Sequence, residues 1–232
     1  MPNKGIKMSN LIIDEVKLSF VFKSSEPIPE DTLLSWLLEK GFQDITDVPK
    51  RIGTSTFGIE RLNIARKGTC QVLYDPRGGN LGVAGNKLKE TLKEFVVIES
   101  MLKEKGFNLS DDVRFIEFVV NSRLFVKGKL KPLEKISEFI GVQKMSKFSE
   151  IMGEDVIPFD IRFCPKREAK ASEDFRKIPE WFDIHVHPYI SNPNYYSVHV
   201  VFRDTDLSNV KKFAETVSDK IVNIIKMIVG ET

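Results

Sequence analysis

Twenty-three residues, Trp181 to Arg203 (WFDIHVHPYISNPNYYSVHVVFR), constrain the fold more than any other stretch. Side chains alternate between the two faces of a strand. On the first arm Phe182, Ile184, Val186 and Ile190 fall on one face, and Trp181, Asp183, His185, His187 and Tyr189 on the other. On the second arm Tyr196, Val198, Val200 and Phe202 make an apolar row, opposed by Tyr195, Ser197, His199, Val201 and Arg203. Ser191-Asn192-Pro193-Asn194 between them is turn chemistry, since Pro presets φ and Asn tolerates the left-handed region. The stretch therefore predicts a β-hairpin. Directly opposite neighbours share a face, so matching the apolar rows leaves two registers. One sets His185 across from His199. The other sets His187 across from His199 and Asp183 across from Arg203.

Either register gathers all three histidines of the chain on one side. His-x-His on one strand with a third His on its neighbour can surround zinc, or another divalent transition metal, with water as fourth ligand. That water, acidified by the metal, would serve a hydrolase as nucleophile, with Asp183 orienting a ligand or acting as base. The plainer reading is that histidine suits a half-solvated sheet face. A Ser197/His/Asp183 hydrolase lacks an evident oxyanion hole and a sharp nucleophile turn.

The remaining chain alternates strands with helices. Residues 11–23 read as a strand with Val16, Leu18, Phe20 and Phe22 on one face, and 30–40 as a short helix stopped by Gly41. Residues 45–58 are ambiguous. Ile59–Arg66 and Thr69–Asp75 suggest a hairpin about Lys67-Gly68, which would pair Arg61 with Tyr74 and Asn63 with Val72. The glycine-rich DPRGGNLGVAGNK at 75–87 could cradle an anion at the amino terminus of the following helix, but it fits neither phosphate-loop spacing nor the dinucleotide fingerprint, so it reads first as a mobile connection ending at Asn86 as helix cap. A helix follows to Lys105. After Asp111 come a strand over 113–126, a helix over 132–140 stopped by Gly141, and a strand over 156–164. The polar, aperiodic residues 165–179 read as a mobile loop able to fold over the histidine face. From Asp206 a long helix is expected, with Leu207, Val210, Phe213, Ala214, Val217, Ile221, Ile224, Ile225 and Ile228 at helical spacing as its core stripe.

Laid side by side, residues 9–110 and 111–232 repeat one cycle: strand, short helix, strands, long helix. DEVKLSF at 14–20 echoes DDVRF at 111–115, and 88–104 follows the polar and apolar rhythm of 210–228. Such a chain folds as an α+β protein, one domain over 1–232, with a mostly antiparallel sheet and both long helices on one face. That order resembles the two-repeat topology of the TATA-box-binding protein and its structural relatives. The resemblance implies a fold only, and no family residue carries over.

With the helices on the apolar side, the histidine side is the open one. Trp181, Tyr189, Tyr195 and Arg203 beside the histidines compose a binding surface for a protein partner, a ligand or a second copy of the chain. Single-stranded nucleic acid could stack there, but a net charge of +2 offers phosphates little. Cys70 and Cys164 fall in predicted strands as small buried hydrophobes rather than a disulfide framework. No apolar run of membrane-spanning length exists and the amino terminus lacks the apolar core of a signal peptide, so a cytoplasmic location is expected. Abundant Lys, Glu and Ile lean toward a thermophilic source.

Overall fold

The computed structural model describes residues 10–45, 62–127, 131–141, 145–166 and 178–231. Among the described residues nine strands form one antiparallel sheet: β1 (Leu11–Phe22), β2 (Gln43–Asp44), β3 (Leu62–Lys67), β4 (Cys70–Asp75), β5 (Asn80–Gly85), β6 (Val113–Phe125), β7 (Ile161–Phe163), β8 (Trp181–Pro188) and β9 (Tyr195–Asp204). Their order across the sheet is β2-β3-β4-β5-β1-β6-β9-β8-β7. The helices are α1 (Glu30–Glu39), α2 (Leu88–Glu104), α3 (Leu109–Asp112), α4 (Pro132–Ile140), α5 (Ser146–Met152) and α6 (Leu207–Val229). The architecture is thus α+β with a large antiparallel sheet.

The opening strands of the two halves, β1 and β6, pair at its centre. Beside each lies the last strand of its own half, β5 or β9, with earlier strands further out. Val16, Leu18 and Phe20 face Val120, Phe118 and Ile116 across the β1/β6 pair, so their apolar rows fuse into one floor. Both long helices cover that floor. Phe95 of α2 stacks on Phe20 with ring centroids 4.4 Å apart. Phe213 of α6 stacks on Phe202 at 4.0 Å and meets Phe118 edge-on at 6.1 Å. Among the described residues, most of the buried apolar side chains of both halves join one hydrophobic cluster.

Helix boundaries follow local chemistry. Asp206 caps α6 by accepting a hydrogen bond from the Ser208 N–H at 2.8 Å. Gly230 closes it at φ 76°, in the left-handed region where a side chain would be strained. Pro132 opens α4, where its missing N–H costs nothing, and Gly141 follows the last turn.

Several expectations change. The glycine-rich stretch is no mobile connection: Asn80–Gly85 is β5, hydrogen-bonded between β1 and β4. At Gly82 the Leu18 carbonyl oxygen fills the space a side chain would occupy. Asn86 is not the cap of α2; Lys87 holds that position without a side-chain capping bond. In the β3/β4 hairpin Lys67 pairs with Cys70, so Gly68 and Thr69 form the turn, and a bulge past Asn63 pairs Asn63 with Leu73. Leu62, rather than Arg61, sits across from Tyr74. The strand expected over 156–164 shrinks to Ile161–Phe163 and is preceded by the unforeseen α5. Cys70 is buried, whereas Cys164 lies just past β7 and is exposed. Ile190 is 84% exposed because β8 ends at Pro188 and the turn begins before it. Residues 46–58, from the ambiguous segment, and 167–177, from the polar loop, lie outside the described residues.

Candidate binding face on the sheet

Of the two registers open to the hairpin, the structure takes the one with His185 opposite His199, which also sets Trp181 opposite Arg203 and His187 opposite Ser197. Tyr189 N–H donates to Tyr195 O at 2.8 Å, holding the aromatic pair together at the turn. Odd-numbered residues of β8 and β9 point away from the helices. Apart from the buried Asp183, they are half-buried, as expected on a sheet face without helical cover.

One row crosses five strands: Arg162, His185, His199, Asn121 and Glu15 occupy consecutive paired positions on β7, β8, β9, β6 and β1. Polar contacts tie this row together. Asn121 donates its amide N–H to Glu15 Oε2 at 2.8 Å, which turns its carbonyl toward the imidazole of His199. His199 Nδ1 lies 2.6 Å from that Oδ1 and therefore carries the proton, leaving Nε2 as acceptor. His185 Nε2 meets Asp160 Oδ2 at 2.9 Å. His187 Nδ1 donates to Pro188 O at 2.9 Å, and its ring stacks with Phe159 at 6.0 Å.

Three arginines on this face have carboxylate partners. Arg162 clasps Asp183 with two hydrogen bonds, one of them 2.8 Å from Nε to Oδ1. This explains why Asp183 is the one odd-numbered residue of β8 that is buried, at 8% exposure. Arg203 binds Glu117 through Nε at 2.8 Å and through Nη2 at 2.7 Å. Arg123 binds Asp14 and lies over the Tyr189 ring at 5.0 Å. Tyr195 packs against Phe125 at 5.3 Å.

All eight residues singled out in the sequence therefore share the face, but their chemistry is dispersed. His185 and His187 approach within 5.0 Å between ring centroids. Yet among the described residues no three or more His, Cys, Asp or Glu side chains converge as metal ligands. Ser197 has no hydrogen bond to an imidazole among the described residues, and Asp183 is held by Arg162 instead of a histidine. Among the described residues, Ser197, Asp183 and the histidines do not assemble a hydrolytic triad. Arg162, Asp160, Asn121, Glu15, Glu117, Arg123, Phe125 and Phe159 escaped sequence reasoning. The signal for those on β6 was the alternation 117, 119, 121, 123, 125, legible once β6 is known to neighbour β9.

No protein-family model matches the chain, and no curated protein matches its sequence. Among solved structures, the TBP of Methanococcus jannaschii is similar at 11% identity, with 96% of this chain and 99% of that chain covered. The TM-score is 0.32. A likeness that distant bears on no residue of this face, and the antiparallel sheet rests on the strand register itself. Among the described residues no helix is long and apolar enough to cross a membrane.

Burial pushes the His199 pKa down; Asp183 and Glu117 pull it up, while His185 and Arg162 add to the lowering. A histidine whose folded pKa lies below its unfolded value stays neutral in the native state while the unfolded chain takes up protons. Stability is then full above the usual histidine pKa of about 6.5 and falls as pH drops below it. Urea midpoints are expected to decline from about pH 7 to pH 5, and His199→Gln is expected to remove part of that slope. An unchanged slope in the variant would assign the loss to other groups.

Proposed function

We propose that this is a non-catalytic binding protein whose open sheet face receives a protein partner, a second copy of the chain included. The observation that carries this reading is a stretch of exposed apolar side chains over residues 148–159 that reaches the face at Phe159. Phe148 is 55% exposed, Ile151 78%, Met152 63%, Ile157 53% and Phe159 50%. Phe159 stacks on His187, so the apolar run continues into the aromatic and histidine surface. Apolar clusters of this kind are expensive in water and mark interaction sites. The α5 segment holds its shape without burying its apolar side: Ser149 Oγ accepts the Val156 N–H at 3.0 Å after the chain turns back at Gly153.

Charge favours a protein over a nucleic acid. Phosphate binding draws on cations free to release counterions. Arg123, Arg162 and Arg203 are each neutralised by a carboxylate, leaving aromatic rings and apolar side chains as the adhesive part of the face.

Sedimentation equilibrium of the wild type and of Phe159→Asp, with affinity capture by both from a cell extract, tests the reading. The wild type is expected to sediment above 26.5 kDa, or to retain a protein species, and Phe159→Asp is expected to abolish whichever is seen. A 26.5 kDa monomer retaining the same species in both forms would overturn the proposal.

A further inference from the structure

A second surface lies on the other layer of the molecule, in the trough between α2 and α6. It encloses about 540 Å³ and is lined by Leu88, Lys89, Leu92, Lys93 and Val96 of α2 with Lys211 and Glu215 of α6. Leu88, Leu92 and Val96 follow one another at four-residue spacing, a straight apolar row about 12 Å long at 1.5 Å per residue. They are not the residues that seat α2 on the sheet; Phe95, Ile98 and Leu102 do that and are fully buried. Val96 is 37% exposed, and Leu88 and Leu92 are half-buried at the margin of the core.

Charges around the trough are unbalanced. Lys211 is paired with Glu99 at 2.9 Å and Lys87 with Glu90 at 2.8 Å. Lys89 and Lys93, immediately beside the apolar row, have no ion-pair partner among the described residues, and Glu215 is the lone acid in the lining. An apolar floor flanked by unspent lysines calls for an occupant with apolar anchors and carboxylates beside them. A third helix can seat its side-chain ridges in the groove between two others.

We infer that the α2/α6 trough docks an acidic amphipathic helix of a partner protein, with its anchors one turn apart over Leu88, Leu92 and Val96 and its carboxylates on Lys89 and Lys93. Apolar contact supplies the affinity, and the lysines select an acidic sequence over a basic one. This surface is independent of the sheet face, and either assignment stands without the other.

The probe is a labelled synthetic peptide of about four helical turns, with leucines at i, i+4 and i+7 and glutamates flanking them, followed by fluorescence anisotropy against the full chain. A matched peptide carries lysines in place of the glutamates. The acidic peptide is expected to bind at least about tenfold more tightly than the lysine peptide at low salt, and to weaken as salt screens the pairing. Leu92→Asp is expected to abolish binding. The double variant Lys89→Glu with Lys93→Glu, confined to exposed positions that leave the fold intact, is expected to invert the preference toward the lysine peptide. Equal binding of the two peptides, or an acidic peptide bound equally well by Leu92→Asp, would overturn the inference. So would sodium dodecanoate occupying the trough where the peptide does not, or a doubled mass that Leu92→Asp abolishes, since the occupant would then be an amphiphile or a second copy.

Discussion

Gly82→Val is expected to lower the stability of the folded chain by about 3 kcal/mol or more, a drop in Tm of roughly 10 °C for a protein of this size. Gly82 is paired with Ser19 of β1 on one side and Leu73 of β4 on the other. A Cβ at this position would lie 2.7 Å from the Leu18 carbonyl oxygen and 3.0 Å from Ser19 Cβ. The first obstacle is backbone at the middle of the sheet, so it cannot swing aside as a flexible side chain would. Gly82→Ala is expected to act in the same direction with a smaller effect. Were residues 78–85 a loose connection, both substitutions would change stability by less than about 0.5 kcal/mol, the usual scale for exposed positions. Urea unfolding of the two variants decides between a paired strand and a loop.

Phe95→Ala is expected to cost about 3–5 kcal/mol, the range for removing a fully buried aromatic ring. The ring is completely inaccessible and stacks on Phe20, so its loss leaves a cavity where α2 meets β1. Neighbouring Val96, 37% exposed, provides the control: Val96→Ala is expected to change stability by less than about 0.5 kcal/mol. A difference of this size between adjacent residues reports which side of α2 is the core side. The same measurement protects the binding experiments on the trough, because substitutions at Lys89 and Lys93 then act on a helix whose seat is intact.

The candidate face shows how far periodicity reaches. Alternation in 181–203 was enough to assign Val186, Val198 and Val200 to the core and the three histidines to the opposite side. It could not choose between registers, since a shift of two residues preserves every face. The choice rests on contacts distant in the chain: β7 aligns Arg162 with His185, and β6 aligns Asn121 with His199. Burial of Asp183 defied alternation for the same reason. Its position on the open face is set by parity, but its low exposure is set by Arg162, a residue of another strand.

Local chemistry by itself determined the two long helices, the strands β1 and β6, the hairpin of β8 and β9, and the parity of its side chains, because each depends on neighbours within a few positions along the chain. Only tertiary structure decided that Asn80–Gly85 is a strand, that the histidines are tethered separately to Asp160, Pro188 and Asn121, and that the arginines are neutralised. Those outcomes come from pairing between segments tens of residues apart. The space left by a missing side chain, and the partner found by a charge, belong to whichever strand packs alongside, which no local pattern records.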